Sequence, residues 1–257
     1  MKIVILAGGL GTRLGDMTEV RPKPMVEIGR HPIIWHIMKH CASYGFNDFY
    51  IALGYKGDVI KRYFMDYYAM NADVVVDLKQ GDLQILQQHR EDWRVHLIDT
   101  GIHTPTGGRL KRMLPHLDDE TFMLTYGDGV CDVNLHDLLR YHQQKKTLAT
   151  VTAVRPSARF GNLVLDNDRV TSFTEKNQAG AGWINGGFIM MQPQIDQYLP
   201  DEDVSLEQHT LEALASDGKL AAFCHDRFWQ CMDTKREVDL LNRLWEQPDC
   251  PWRNWRE

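Results

Sequence analysis

The sequence predicts an α/β protein: a Rossmann-like, mostly parallel mixed sheet flanked by helices, with antiparallel hairpins in its second half. Three observations predict it. Short apolar runs alternate with amphipathic stretches through the first half of the 257 residues, the pattern of parallel strands joined by right-handed crossovers. A glycine-rich turn, Gly8-Gly9-Leu10-Gly11, follows the first apolar run directly. In the second half, apolar runs flank turn residues instead, which favours hairpins.

Taken in order, Ile3 to Ala7 reads as a buried first strand. Pro32 opens a helix whose apolar positions Ile33, Ile34, Ile37, Met38 and Cys41 fall at helical spacing, and Gly45 ends it. Asp48 to Leu53 is a second buried strand, and Val59, Ile60, Tyr63, Phe64 and Tyr67 mark an amphipathic helix. Val74 to Val76 and Leu83 to Leu86 are expected to pair across Gln80-Gly81-Asp82. Val95 to Ile98 and Phe122 to Thr125 are further strands. Leu163 to Leu165 and Val170 to Phe173 flank a hairpin turn at Asn167-Asp168, and Trp183 to Met191 reads as a strand. Ser205-Leu206-Glu207-Gln208 and Thr234-Lys235-Arg236-Glu237 have the spacing of capping boxes. The first opens a helix stopping near Gly218; the second opens one with Val238, Leu241, Leu244 and Trp245 on one face. The last residues, 246–257, hold Trp252 and Trp255, which either dock on the parent fold or pack across a subunit interface.

Composition narrows the function classes. Hydrophobic residues are 43% and charged residues 25%, ordinary for a soluble globular protein. A net charge of -6 argues against non-specific binding to nucleic acid or to an anionic membrane. No window approaches the roughly 18 apolar residues of a membrane span. The N-terminal apolar run is broken by Gly8-Gly9 and is too short for a signal peptide. The five cysteines form no C-x-x-C pair, so neither a disulfide framework nor a zinc site is suggested, and a reducing cytoplasm is the simplest setting.

The chemistry concentrates in loops after strands, where ligands bind in sheets of this kind. Without a Cβ, glycine lets backbone approach a ligand closely. Thr12 adds a hydroxyl and Arg13 a five-donor cation, a combination suited to triphosphate oxygens. Arg21-Pro22-Lys23-Pro24-Met25 supplies a second cation on a proline-stiffened segment; a solvated surface lysine needs no such mount. A G-x-G-x-x-G fingerprint fails at Leu14, and the phosphate loop G-x-x-x-x-G-K-[ST] is missing its Lys-Ser/Thr pair. Asp99-Thr100-Gly101 and Tyr126-Gly127-Asp128-Gly129 sit at strand ends that would converge on the same cleft. Asp128, between two glycines, is either a turn aspartate or a hard oxygen ligand. Asp233 could be a helix cap, but the capping box begins one residue later, at Thr234.

The run G-G-x-G-T-R-L followed by P-K-P-M resembles the signature of the sugar-1-phosphate nucleotidylyltransferases. The likeness continues through Val26-Glu27-Ile28-Gly29, Thr106-Gly107-Gly108-Arg109-Leu110-Lys111-Arg112, Tyr126 to Gly129, Glu175-Lys176, Ile184-Asn185-Gly186-Gly187-Phe188 and Trp229 to Thr234. The stretch Pro22 to Gly29 is more similar to the cytidylyl-transferring branch than to the thymidylyl or uridylyl branches. The resemblance implies the nucleotide-diphospho-sugar transferase fold in one domain, 1–257. Residues 1–130 would be mainly its nucleotide half, 131–245 mainly its sugar-phosphate half, and 246–257 a tail. It implies CTP and glucose 1-phosphate as small-molecule substrates, CDP-glucose and pyrophosphate as products, Mg²⁺ as cofactor and a homo-oligomer. It also implies a place in making CDP-linked deoxysugars of surface polysaccharide such as lipopolysaccharide O-antigen.

Residue by residue, the resemblance assigns the nucleotide to Leu6, Ala7, Gly8, Gly9, Leu10, Gly11, Thr12, Arg13 and Lys23, with Gly101, Thr104, Thr106, Gly107, Arg109 and Asp128. Tyr126, Gly127, Gly161, Glu175, Lys176, Asn185 and Gly186 would hold the sugar phosphate, and Asp128 with Asp233 the metal. Arg13, Lys23 and Asp128 are the implied catalytic residues: Arg13 at the departing β- and γ-phosphates, Lys23 at the α-phosphate. Alone, Glu175-Lys176 is a common surface dipeptide, and Arg109, Lys111 and Arg112 could form a basic solvated face. Cys231 stands where close relatives are expected to carry proline. Other readings are the same chemistry on another triphosphate or sugar, and a non-catalytic nucleotide-sugar-binding subunit. The second is disfavoured because Arg13, Lys23, Asp128 and Asp233 are all present. An NAD enzyme is disfavoured by Leu14.

Overall fold

In the computed structural model, which describes residues 1–86, 90–156, 162–166, 169–174 and 182–255, seven strands form one mixed sheet. They are β1 (Lys2–Leu6), β2 (Asp48–Leu53), β3 (Arg94–Asp99), β4 (Phe122–Tyr126), β5 (Ala149–Val154), β6 (Ile184–Met191) and β7 (Leu220–His225). Their order is β7-β5-β6-β4-β1-β2-β3. β6 alone runs against its neighbours, β4 and β5; the other pairings are parallel. The mostly parallel mixed sheet expected from the sequence is therefore present.

The continuous apolar run of β1 has a simple cause. Ile3 and Ile5 face one core, with α1 (Ile33–Ala42); Val4 and Leu6 face the other, with α3 (Thr106–Met113) and the 206–214 segment. A strand covered on both faces has no polar side to alternate with. The chain leaves β1 toward β2 and β3, then returns to place β4 on the other side of β1. The strand order thus reverses at β1 and β4, where open α/β sheets form their binding crevice.

Several elements differ from the sequence reading. The helix expected through Tyr67 is α2 (Gly57–Met65), and Asp66 separates it from a short turn, Tyr67–Met70. The segment after Ser205 opens with a wide π turn, Leu206–Leu211, before one α turn, Glu212–Ser216. α4 (Leu135–Lys145) and the final α5 (Lys235–Trp245) complete the helices that matter here. The hairpin expected at residues 74–86 is present as Val74–Asp77 paired with Asp82–Ile85, and Asn162–Asp166 pairs with Arg169–Thr174. The turn Asn167-Asp168 lies outside the described residues.

A short ribbon that the sequence did not announce joins Gly129–Cys131 to Trp229–Cys231, antiparallel. It carries the two halves of the chain past each other just beyond the end of β4. The tail docks on its own fold: Trp252 is fully buried and stacks on Phe228 and Trp245, and Trp255 packs against Trp35 and Trp245.

Candidate active site

Beyond the carboxyl ends of β1 and β4 lies a cleft of about 470 Å³. Leu6 to Arg13, Lys23, Pro24, Thr104 to Thr106, Arg109 and Tyr126 to Asp128 line it. Most residues expected to hold nucleotide are therefore together. Gly101 and Gly107 are outside this lining. Gly107 packs against the chain at Val204: its N–H donates to the Val204 carbonyl at 3.0 Å, and a Cβ would lie 2.7 Å from that oxygen.

The glycine loop turns through a left-handed Gly11, φ +65°, into a single 3₁₀ turn at Thr12–Leu14. Its carbonyls are tied down: Gly8 O accepts from Tyr55 N at 3.1 Å and Gly11 O from Leu14 N at 3.1 Å. Its donors are not. Among the described residues, none accepts a hydrogen bond from the N–H groups of Gly8 to Arg13. A run of unpartnered amides at the mouth of a cleft is an anion cradle.

Arg109 is buried, not on a solvated face. Its Nη1 donates to Leu53 O, Thr100 Oγ1 and Gly101 O at 3.0, 2.8 and 2.7 Å, and its Nη2 to Gly8 O and Ile102 O at 2.8 and 3.1 Å. The guanidinium thus fastens the glycine loop to the loop after β3. Burial first, then the nearby Arg112, lowers its pKa from the ordinary value. Gly8 is glycine for this reason: a Cβ there would lie 2.1 Å from Arg109 Nη1. Thr104 is similarly engaged, accepting from Arg112 Nη1 at 2.5 Å.

Beside the glycine loop, where Gly11 packs on it, Lys23 is 8% exposed and stands between two carboxylates. Its Nζ lies 2.5 Å from Asp128 Oδ2 and 2.5 Å from Asp233 Oδ1. Burial alone would lower its pKa, but the two carboxylates, Asp128 foremost, raise it. Asp233 Oδ2 also takes Arg13 Nη1 at 2.8 Å, and Arg13 itself is 72% exposed. Burial opposes ionisation of Asp233; Lys23, then Arg13, outweighs it and holds the carboxyl below the usual range. Local packing fixes this geometry. Pro24 sits against Gly127, where a Cβ would lie 2.9 Å from Pro24 Cγ. The Gly129–Cys131 ribbon brings Met232 N to 2.8 Å from Asp128 O, so Asp128 and Asp233 face each other.

Two carboxylates gathered about one cation fit a hard divalent ion, with Lys23 Nζ standing where positive charge is required. Among the described residues no group of three or more His, Cys, Asp or Glu is placed to hold a metal, so water and ligand oxygens would have to complete the shell. The helix after Asp233 is capped without it, since Glu237 Oε2 accepts from Thr234 N at 2.8 Å and from Asp233 N at 2.7 Å. Cys231 Sγ is 3.8 Å from Asp233 Oδ2, and burial, with Asp233, pushes its thiol up to about 12. It remains a neutral thiol beside the carboxylates.

Of the residues expected to hold the sugar phosphate, Gly161, Glu175 and Lys176 lie outside the described residues. Asn185 and Gly186 sit beside the cleft and support it. Asn185 Nδ2 donates to Tyr126 Oη at 3.2 Å, and Gly186 O accepts from Trp229 Nε1 at 2.7 Å. Tyr126 donates in turn to Glu207 Oε1 at 2.6 Å. The sequence gives Glu207 no mark beyond its place in a helix cap.

Residues 2–234 match the model of a family described as nucleotidyl transferase. A glucose-1-phosphate cytidylyltransferase of Salmonella typhi is 45% identical over 256 residues, covering 99% of this chain and 100% of that protein. A mannose-1-phosphate guanyltransferase of Aspergillus oryzae is 29% identical, covering 94% of this chain and 63% of that protein. Among solved structures, a UDP-glucose pyrophosphorylase complexed with UDP-glucose superimposes with a TM-score of 0.66 at 15% identity, covering 95% of this chain and 97% of that one, a likeness of fold.

Proposed function

We propose, from the premise that the chain belongs to the nucleotidyl transferase family, that it transfers a cytidylyl group from CTP to glucose 1-phosphate, giving CDP-glucose and pyrophosphate. The observation that carries the chemistry is a juxtaposition: loop amides at Gly8 to Arg13, unpartnered among the described residues, beside the Lys23–Asp128–Asp233 cluster. The observation that carries the substrates is 45% identity over the full length of the Salmonella typhi enzyme.

The reaction is an in-line displacement at the α-phosphorus by the phosphate of the sugar. That nucleophile is already an anion at neutral pH, so no general base is required. The difficulty is bringing two polyanions together and stabilising charge on the leaving pyrophosphate. In this reading the loop amides and Arg13 hold the β- and γ-phosphates, and the exposure of Arg13 lets it follow them. Lys23, on its rigid mount between prolines, stabilises charge at the α-phosphate. Asp128 and Asp233 would hold Mg²⁺, which supplies neutralisation of triphosphate charge and a template for both phosphates. Arg109 keeps the base-side loop and the phosphate loop in register.

The product suits a cytoplasmic enzyme early in the assembly of CDP-linked deoxysugars for surface polysaccharide. Among the described residues no helix is long and apolar enough to cross a membrane. A homo-oligomer is also part of this reading, supported by the Val74–Asp77/Asp82–Ile85 ribbon. Its pairing puts Val74, Val76, Leu83 and Ile85 on one face, with Val76 and Leu83 more than half exposed. A second copy would cover that face.

Substrate binding gives a direct check. CTP with Mg²⁺ should raise the melting temperature, and NAD should not. Incubation with CTP and glucose 1-phosphate should yield CDP-glucose by mass spectrometry; stabilisation by NAD with no nucleotide-sugar product would contradict the reading.

A further inference from the structure

Glu207 sits on the first residues of the π turn Leu206–Leu211, a wide turn of a kind that recurs at functional sites. Its carboxylate collects three hydroxyl protons. Tyr126 Oη donates to Oε1 at 2.6 Å; Thr106 Oγ1 and Ser205 Oγ each donate to Oε2 at 2.7 Å. Burial opposes its ionisation, but these hydroxyls, Tyr126 first, hold it below the usual range, and it stays an acceptor. Burial, reinforced by Glu207, raises the pKa of Tyr126, so its phenol keeps its proton.

The consequence is one of proton direction. A hydroxyl has a single proton to give. Tyr126, at the end of β4, and Thr106, at the start of α3, both line the cleft, and both give that proton to Glu207. Their other neighbours are donors: Asn185 Nδ2 to Tyr126 at 3.2 Å and Leu206 N to Thr106 at 2.9 Å. Asn185 cannot reverse its amide freely, because its Oδ1 accepts from Gly187 N at 3.0 Å. What Tyr126 and Thr106 can offer a ligand is therefore lone pairs.

We propose that Glu207 is a positioning residue of the sugar site: anchored by Thr106 on the nucleotide side, it draws the proton of Tyr126 toward itself and so makes Tyr126 an acceptor for a donating hydroxyl of the hexose 1-phosphate. This rests on the transferase reading, in which Tyr126 faces the sugar. Glu207→Gln keeps the shape but introduces an amide donor, so one hydroxyl must turn its proton into the cleft.

Steady-state kinetics and titration calorimetry on the intact protein test it. Glu207→Gln should raise KM for glucose 1-phosphate about tenfold, with KM for CTP within about twofold and kcat reduced less than about threefold. Tyr126→Phe should raise KM for glucose 1-phosphate similarly, and the double variant should fall short of the product of the two effects. Across monodeoxy glucose 1-phosphates, one analogue should bind wild type and Glu207→Gln equally, identifying the hydroxyl concerned. An unchanged KM for glucose 1-phosphate, or an equal rise for CTP, would overturn the proposal. If Glu207→Gln does not fold, Tyr126→Phe with the deoxy series decides: a uniform penalty across every analogue overturns it. If wild type releases no pyrophosphate from CTP and glucose 1-phosphate, the transferase reading fails on its own. Calorimetric binding of glucose 1-phosphate to wild type and variant then still judges Glu207: weaker binding by the variant supports it, equal binding or none overturns it.

Discussion

Lys23 sets the electrostatics of the cleft, because two carboxylates close enough to share one ammonium repel each other without it. Lys23→Ala should therefore lower the melting temperature in chelator and gain more from added Mg²⁺ than wild type does. Turnover should fall by about 10²–10³-fold or more. Differential scanning fluorimetry and a pyrophosphate assay check both, and near-normal turnover would remove Lys23 from the mechanism. Asp233→Asn leaves the Glu237 cap in place, so it should weaken the Mg²⁺ dependence of turnover with little loss of helix stability. An unchanged metal titration would reduce Asp233 to a partner for Lys23 and Arg13. At this scale the sequence is uneven. Lys23 stood out because a free surface lysine has no use for proline on both sides. Arg109 did not reveal its burial, since its carbonyl partners come from Gly8, Leu53, Gly101 and Ile102, on three separate segments. Glu207 was hidden by a cap motif that explains an acidic residue there equally well.

Elements transmit these residue geometries. The glycine loop is held from beneath by Arg109, so Gly8→Ala should displace the guanidinium and abolish stabilisation by CTP. At Gly9 a methyl group would meet nothing within 4 Å, so Gly9→Ala should cost no more than ~0.5 kcal/mol of stability. Thermal melts without nucleotide separate the two, since only Gly8→Ala disturbs Arg109; equal melting temperatures would argue against Arg109 as the support. α1 carries another consequence. His36 and His40 are buried there, and burial brings both down to about 4 from the ordinary 6.5. Between those values the unfolded chain takes up protons that the folded chain refuses. Stability is thus present above pH 6.5 and lost as pH falls toward 4, by something on the order of a few kcal/mol. Urea midpoints should be lower at pH 5 than at pH 7; equal midpoints would contradict it. Periodicity located α1 and five of the seven sheet strands, but not β5 or β7. It missed the Gly129–Cys131/Trp229–Cys231 ribbon, because three-residue strands carry too few alternations to register.

For the molecule as a whole, parallel strands read from apolar runs led correctly to a crevice at strand ends, and the reversal of order at β1 and β4 supplies its location. Placement of the tail could not be read, since a tryptophan packs as well within a subunit as between subunits. It docks within the fold, and Trp252→Ala should cost about 3–5 kcal/mol. If the proposed homo-oligomer uses the apolar ribbon face, Val76→Glu with Leu83→Glu should shift the mass in light scattering toward the monomer. The most direct measurement is pyrophosphate release with Mg²⁺, glucose 1-phosphate and each of CTP, UTP, dTTP, ATP and GTP in turn. Release far faster with CTP than with any other triphosphate is the expected result. Release mainly with another triphosphate, or with none, would contradict the assignment of this cleft to cytidylyl transfer.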